Sequence, residues 1–393
     1  MVRQAPWLLP EGVDELLPPR AQQAEKLRRR LLDLHSSWGY ELVMPPLIEF
    51  LDALLTGIGG DLDLQTFKLT DQLSGRLLGV RPDITPQAAR IDAHQLRRQG
   101  VTRLCYLGSV LQARSEGPAG SRNAVQVGAE LYGHSGIESD LEILSLMLEV
   151  LRTAGLDKLH LDIGHVGIFR SLSTQAGLDT TDERALFDLL QRKAADEIVA
   201  MLANAGVDSQ LAGRLAALAR LHGGHEVLER ARIQLGGSNA GLDSALDELQ
   251  HLLGSLAERE PQVDVCLDLG ELRGYSYHTG IAFAVYTPGS SQEVARGGRY
   301  DGIGKAFGRP RPATGYSTDL KTLLTLSAPD ITNAVEGGGI LAPWFDDRGL
   351  TDRVRELRAQ GERVIWQLPG DGERHGCDRQ LVERNGYWEV EAV

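Results

Sequence analysis

The stretch LRGYSYHTGIAFAVYTPGSSQEVARGGRYD, residues 272–301, decides the fold of this chain. Its alternation predicts a strand from about Ser276 to Tyr286. One face would carry Tyr277, Thr279, Ile281, Phe283 and Val285, and the other His278, Gly280, Ala282 and Ala284. Small residues in line on a sheet face leave room for a ligand, because glycine inside a strand often marks a close approach. The alternative is a twisted sheet that packs closely on a helix, and this stretch taken alone favours that alternative.

Length, charge and cysteine content limit the classes of protein to consider. The chain has 393 residues and 42% hydrophobic content, which is enough for two or three buried cores. A formal net charge of -13 disfavours a broad nucleic-acid surface. Three distant cysteines, Cys105, Cys266 and Cys377, indicate a reducing compartment, the cytoplasm, and no structural zinc. No apolar run approaches membrane length, so neither export nor a membrane partner is expected.

Two further motifs carry polar side chains on regular elements. In RPDITPQAAR, residues 81–90, Thr85 before Pro86 predicts a helix N-cap and a helix to about Arg98. In VQVGAE, residues 125–130, strand alternation places Gln126 and Glu130 on one face with a glycine between them. Such a face could hold an amino group, with Glu130 as the counter-charge and Gln126 as a positioning group. The alternative is a solvent-facing polar face, which this strand alone narrowly favours.

Composition along the chain predicts two parts of unequal size. Residues 1–325 form the larger part, and helical spacing from about 166 to 260 indicates a helical insertion within it. The HGGH sequence at 222–225 lacks a third ligand at suitable spacing, so no metal site is predicted. Residues 302–308 resemble a phosphate loop only superficially, because Ala306 replaces the required hydroxyl residue. Residues 337–393 predict a short β-α-β segment.

Four motifs in one order resemble those of histidyl-tRNA synthetases over roughly residues 5 to 325. RPDIT is similar to that family's Arg-Pro-Glu-Gly-Thr segment, VQVGAE to its His-Gln-Phe-Gly-Val-Glu, and LRGYSYHTG to its Arg-Gly-Leu-Asp-Tyr-Tyr segment. GGRYD is identical. The resemblance implies an α+β fold. It would have a class II synthetase-like antiparallel sheet flanked by helices, with the helical insertion and a small C-terminal α/β segment.

The same resemblance implies a histidine pocket, residue by residue. The residues that would surround the amino group are Asp83, Thr85, Gln126 and Glu130. Those that would line the rest are Arg273, Tyr277, His278 and Tyr300. Two positions depart from the family: Asp83 is one methylene shorter than the family's Glu, and His278 falls where synthetases have Tyr.

The positions that bind ATP in class II synthetases have changed here. Gln112 stands where the first phosphate-binding Arg is expected, and Lys321 and Thr322 stand at the Glu-Arg pair that supplies the second. Arg114 lies two residues further along the strand, which moves its guanidinium by about 7 Å. The resemblance therefore implies no catalytic residues and lost synthetase chemistry. The segment after residue 337 is also too short for the usual anticodon-binding module, so no tRNA partner is expected.

The segments LRGYSYHTGIAF, VQVGAELYG and TGYSTDLKTL resemble a related family, the regulatory subunits of ATP phosphoribosyltransferase in bacterial histidine biosynthesis. That resemblance implies a homodimer core that binds several short-form catalytic subunits in a hetero-oligomer. It also implies histidine as the feedback effector, with no cofactor and no metal. Two alternatives are a divergent histidyl-tRNA synthetase and a free-standing histidine-binding paralogue.

Overall fold

The structure, a computed structural model, describes residues 7–56, 60–114, 121–237, 239–271, 274–275, 277–327 and 338–393. The chain divides into two compact units, Met1–Ala328 and Pro329–Val393. None of the helices within the described ranges is long and apolar enough to cross a membrane.

Strands of the first unit form two sheets. In chain order they are β1 (Glu41–Leu42), β2 (Ile48–Phe50), β3 (Phe67–Thr70), β4 (Leu77–Val80), β5 (Thr102–Ser109), β6 (Val125–Tyr132), β7 (His160–His165), β8 (His222–Gly223), β9 (Asp264–Asp268), β10 (Ile281–Tyr286), β11 (Ala295–Arg299) and β12 (Ala313–Asp319). A small antiparallel sheet has the order β2-β4-β3. The large sheet has the order β1-β5-β6-β12-β11-β10-β7-β9-β8.

The expected class II-like sheet is confirmed, with parallel pairs near its two ends. Strands β5, β6, β12, β11, β10 and β7 pair antiparallel in the centre. The pairs β1 with β5 and β7 with β9 are parallel. Parallel neighbours need a long connection, and both pairs have one. The antiparallel centre holds every strand that contributes to the site described below.

Helices cover the large sheet and fill the region between β7 and β9. They are α1 (Arg20–Ser37), α2 (Leu51–Leu54), α3 (Gly60–Gln65), α4 (Thr85–Arg90), α5 (Ile137–Thr153), α6 (Val166–Ala176), α7 (Thr180–Gln191), α8 (Ala195–Asn204), α9 (Ser209–Ala217), α10 (Glu226–Leu235), α11 (Ala240–Arg259), α12 (Ile303–Ala306) and α13 (Leu320–Leu326). Apolar residues at helical spacing on α5, such as Leu144, Met147 and Leu151, are fully buried. They form one core with the sheet and with α1 and α6.

The predicted strand start at Ser276 is wrong, because β10 begins at Ile281. Gly274 adopts a φ of +66°, and its carbonyl accepts hydrogen bonds from the amides of Tyr277 at 2.8 Å and His278 at 2.7 Å. This turn holds Tyr277 and His278 outside the strand, so they do not lie on opposite sheet faces, and backbone bonding to β11 begins at Thr279, whose amide donates to the Arg299 carbonyl. Within β10 the alternation holds, since Ile281, Phe283 and Val285 are buried in the core.

Thr85 does not cap its helix, which corrects the capping role predicted for it. Helix α4 begins at Thr85 itself, with Pro86 in the first turn. The amide of Thr85 donates to Asp83 Oδ1 at 2.9 Å, so the aspartate satisfies the exposed backbone donor instead. The helix continues from Ile91 to Leu96 as a π-helix and ends at Arg97, whose φ is +51°.

The region between β7 and β9 contains α6 to α11, with a 3₁₀ turn at Leu218–Arg220. His222 of the HGGH sequence pairs with Asp268 in the two-stranded contact of β8 with β9. Across the described residues, no group of three or more His, Cys, Asp or Glu side chains could hold a metal ion.

In residues 338–393 the second unit forms a four-stranded sheet with one helix. Its elements are β13 (Gly339–Pro343), α14 (Arg348–Ala359), β14 (Val364–Gln367), β15 (Cys377–Arg384) and β16 (Tyr387–Ala392). Strands β13 and β14 are parallel and joined by α14, as a β-α-β segment requires. Strands β15 and β16 add a hairpin that the prediction left out. The core of this unit includes Ile340, Leu350, Val354 and Val364.

Candidate functional site

A buried carboxylate, Glu130, lies at the centre of the candidate site. It projects from β6 in the middle of the large sheet and is only 1% exposed. The Tyr106 hydroxyl donates to Glu130 Oε1 at 2.9 Å, and the Tyr300 hydroxyl donates to Oε2. Burial, opposed by these hydrogen bonds, raises the pKa of the Glu130 carboxyl to about 8. A carboxyl in this state ionises readily when a cation approaches it.

The alternative of a solvent-facing polar face for this strand is therefore wrong. Glu130 pairs across the sheet with Gly315 of β12, and a Cβ atom at Gly315 would overlap Glu130 Oε2. Glycine at that position makes space for the carboxylate. The sequence did not reveal this burial, because both faces of the central strands are covered in the folded chain.

Asp83, Thr85 and Gln126 form a hydrogen-bonded group beside Glu130. Gln126 Nε2 donates to Asp83 Oδ1 at 2.7 Å, and the amide of Ile84 donates to Gln126 Oε1 at 2.8 Å. The Thr85 hydroxyl lies 3.0 Å from the Tyr106 hydroxyl, which in turn bonds to Glu130. Asp83, Thr85 and Glu130 line one cavity, whereas Gln126 lies outside its lining. Both ends of the Gln126 amide are occupied, so this residue orients Asp83.

Three other predicted site residues form a second wall of the same cavity. Tyr277 stacks on Tyr300, with ring centroids 4.8 Å apart and an angle of 21° between the planes. Among the described residues, neither the Tyr277 hydroxyl nor His278 Nδ1 has a hydrogen-bond partner. Burial lowers the pKa of His278 to about 4, so its ring is neutral at pH 7. Arg273, the remaining predicted residue, lies outside the described residues.

The cavity has a volume of about 450 Å³. Its floor consists of small residues from three adjacent strands, namely Ala282, Ala284, Gly297 and Gly315. The expectation of a small-residue sheet face with room above it therefore matches the geometry. Acidic groups outnumber cations in the described lining, where Asp83, Asp162, Glu271 and the largely protonated Glu130 accompany Arg296. Within the described lining, this imbalance favours a ligand that carries an ammonium group.

Sequence reasoning missed Tyr106, the hydroxyl donor to Glu130. Tyr106 lies on β5 directly opposite Gly128, and a Cβ atom on Gly128 would collide with the Tyr106 hydroxyl. The glycine inside VQVGAE was the available signal, because glycine in a strand interior often marks a close approach by a neighbour. Identifying that neighbour required the register between β5 and β6.

A second cavity of about 830 Å³ adjoins the first and contains the changed ATP positions. Gln112, Lys321 and Thr322 all line it, whereas Arg114 is exposed and absent from its described lining. The Thr322 amide and hydroxyl both donate to Asp319 Oδ2, at 3.1 and 2.8 Å.

Lys321 in this second cavity is paired with the N-terminal segment of the chain. Its Nζ lies 2.9 Å from Asp14 Oδ1. The segment is held by Asn123 Nδ2, which donates to the Asp14 carbonyl at 2.7 Å, and by the Arg122 amide, which donates to Gly12. In the described lining, the carboxylates of Asp14, Asp83, Glu293 and Asp319 face Lys321 and Arg296. Such a lining opposes a polyphosphate.

Known proteins match this chain over nearly its whole length. Residues 12–323 match the family of histidyl-tRNA synthetases, and residues 337–391 match the C-terminal domain of the ATP phosphoribosyltransferase subunit HisZ. An ATP phosphoribosyltransferase regulatory subunit from Alkalilimnicola ehrlichii is 58% identical over 384 residues, covering 97% of this chain and 95% of that protein. A protein of the same name from Nitrosococcus oceani is 56% identical over 98% of this chain and 96% of its own length.

Solved structures show the same fold. A Bacillus halodurans protein, described as an ATP phosphoribosyltransferase regulatory subunit/histidyl-tRNA synthetase, has a TM-score of 0.81 and 27% identity, covering 94% of this chain and 95% of that one. The histidyl-tRNA synthetase from Nostoc has a TM-score of 0.75 at 17% identity, covering 96% and 92%. The latter likeness concerns the fold alone.

Proposed function

Because the chain belongs to the family of ATP phosphoribosyltransferase regulatory subunits, we propose that it binds histidine in the cavity around Glu130 and controls a short-form catalytic subunit. The chain is a non-catalytic subunit in histidine biosynthesis, and its partner is the catalytic subunit of that enzyme. Histidine binding, feedback and the assembly state are the parts that we propose.

The observation that carries histidine binding is the buried Glu130 carboxyl with Asp83 and Thr85 beside it. The ligand's ammonium group would lie between the carboxylates of Asp83 and Glu130. Charge-assisted hydrogen bonds to them would compensate for the water that the ammonium group loses on binding. The Tyr277 hydroxyl and neutral His278 lie on the other wall and offer partners for the imidazole nitrogens. Arg273 stays a proposed member of the site.

The lining of the second cavity argues against the alternative of a divergent histidyl-tRNA synthetase. Gln112 and Thr322 supply no charge, and Lys321 is already paired with Asp14. Two guanidinium groups would neutralise a triphosphate far better than this set. We accordingly propose no tRNA partner, and a role in the cytoplasm together with the catalytic subunit.

We also propose a homodimer core within the hetero-oligomer. The support is an exposed apolar group on the small sheet and the chain leading into it. It includes Met44, Leu47, Ile48, Leu69 and Leu77, each at least 45% exposed. A soluble monomer rarely leaves so many large apolar side chains in one region uncovered, so a second copy would bury them.

Mixing the chain with its catalytic partner tests this proposal. The partner alone should transfer the phosphoribosyl group to ATP slowly, and the mixture should be faster and inhibited by histidine. Size-exclusion chromatography should show co-elution. Separate elution with an unchanged rate would refute the partnership, whereas activation without histidine inhibition would refute only the feedback role.

A further inference from the structure

We infer that Tyr275 is a positioning residue that joins the histidine cavity to helices α6 and α7, so that histidine binding changes the dynamics of the helical insertion. This inference rests on the proposed binding of histidine. Tyr275 itself does not line the cavity, and its neighbours in the turn do.

The contacts of Tyr275 on the insertion side come from two helices. Its ring stacks on Phe187 of α7, with centroids 4.8 Å apart and planes inclined by 28°. It also meets the edge of Phe169 of α6 at 5.6 Å and 85°. Arg170 of α6 donates from Nη2 to the Tyr275 carbonyl at 2.6 Å. Both the ring and the backbone of Tyr275 are thus fixed to the insertion.

The turn on the cavity side is equally constrained. The Gly274 carbonyl accepts from the amides of Tyr277 and His278, which sets the direction of both side chains. A Cβ atom on Gly274 would lie 2.8 Å from His278 Cδ2, so the imidazole packs directly against the turn. Tyr277 stacks on Tyr300, which bonds to Glu130. Among the described residues, the Tyr275 ring links this turn to Phe187 of α7, whereas α6 has a second link, because the Val166 amide donates to the Gly280 carbonyl at 2.9 Å.

A ligand that bonds to Tyr277 and His278 would restrict the turn, and Tyr275 would pass that restriction to the insertion. Coupling between two sites is reciprocal. If histidine binding stabilises the contacts of Tyr275 with the insertion, loosening those contacts must weaken histidine binding by the same coupling free energy. Phe187 does not line the cavity but stacks on Tyr275, so an effect of its substitution on histidine affinity would support this route.

Backbone hydrogen exchange on the full chain tests the inference. Saturating histidine should slow exchange in α6 and α7 as well as in β6. In Tyr275→Ala the slowing should persist in β6 and disappear from α7, because the lost ring is the described contact with Phe187, whereas α6 keeps the hydrogen bonds of Arg170 and Val166. Histidine affinity, measured by calorimetry, should fall roughly 3- to 30-fold, since two aromatic contacts are lost. Phe187→Ala should lower it in the same direction.

Tyr275→Phe is the matched control, because it keeps the aromatic ring that Tyr275→Ala removes. It should retain both the affinity, within about twofold, and the slowed exchange in α6 and α7. Histidine binding to the parent without slowed exchange in those helices would overturn the inference alone. Slowed exchange in α7 that survives Tyr275→Ala would overturn it too. If the parent binds no histidine, both this inference and the proposed function fail.

Discussion

Glu130 holds a carboxyl group where almost no water reaches it, between the hydroxyls of Tyr106 and Tyr300. The pKa of this carboxyl is raised to about 8, so the group is mostly protonated at pH 7 before a ligand binds. An arriving ammonium group favours the ionised form, so ligand binding and proton loss are coupled at this residue.

Replacing Glu130 by Gln keeps the size of the side chain and removes its charge. A charge-assisted hydrogen bond contributes about 1.5 to 3 kcal/mol, so we expect histidine affinity to fall roughly 10- to 150-fold. Calorimetry on the isolated chain measures this loss, and inhibition curves of the assembled enzyme should shift equally. Glu258→Gln on the exposed surface of α11 is the control and should bind as the parent does. Equal affinity in Glu130→Gln would place the effector site elsewhere.

The pH dependence of histidine binding follows from the same carboxyl. Below about pH 8 the ammonium must displace a proton from Glu130, so affinity should rise as the pH increases from 6.5 to 8. At pH 7 binding should release close to one proton, measured by calorimetry in buffers with different ionisation enthalpies. Glu130→Gln has no such proton and supplies the baseline for the ligand's own titration. The same proton release from that variant would contradict the assignment.

The sequence predicted which side chains would lie close together at the site, but not the contacts that each of them makes. Asp83, Thr85 and Glu130 line one cavity, and histidine binding by them stays a prediction from the resemblance. Gln126 was predicted to position the ligand, and its contact with Asp83 could not be predicted, because tertiary folding alone brings Gln126 close to Asp83 and to the Ile84 amide. The burial of Glu130 likewise depends on elements distant in sequence.

At the scale of elements, the alternating pattern before β10 was misleading. Residues 277–280 continue the period-two pattern of the strand, yet the positive φ of Gly274 starts a turn there. The turn brings Tyr277 and His278 to one cavity. Alternation of apolar and other residues predicts which side chains are buried. It does not distinguish a strand from a turn whose side chains are buried by a neighbouring element.

Strand β12 depends on a glycine at the point where it passes Glu130. A methyl group at Gly315 would overlap Glu130 Oε2 and would lie 2.7 Å from the Ala129 carbonyl. Gly315→Ala should therefore destabilise the chain by about 1 to 3 kcal/mol and abolish measurable histidine binding. Denaturant unfolding and calorimetry measure the two effects.

Gly254→Ala in α11 is the matched control, since nothing lies within 4 Å of its added methyl group. Alanine favours helix, so this variant should be more stable by about 0.5 to 1 kcal/mol and bind histidine normally. A Gly315→Ala chain as stable as the parent would show that β12 can move away from Glu130.

At the scale of the whole molecule, the order of the motifs was enough to predict the antiparallel centre of the sheet. The parallel pairs at its ends were not predicted, because they join strands separated by long connections. The path of residues 11–14 to the second cavity also escaped prediction, since Asp14 and Lys321 are 307 residues apart.

The charge of the second cavity predicts that this chain cannot form histidyl-adenylate. Its lining contains more carboxylates than cations, so the triphosphate would not be neutralised. Histidine-dependent exchange of pyrophosphate into ATP should stay at the level of a control without protein. A histidyl-tRNA synthetase serves as the positive control. Exchange clearly above background would favour the synthetase alternative.

The pairing of Lys321 with Asp14 bears on whether phosphate-binding residues could be introduced into this cavity one at a time. An arginine at position 112 would enter a cavity whose neighbouring cation is already bound, and one at position 322 would remove the hydroxyl that bonds to Asp319. Neither substitution alone supplies two guanidinium groups, and the second loses a hydrogen bond. An engineered phosphate site would therefore need both arginines together.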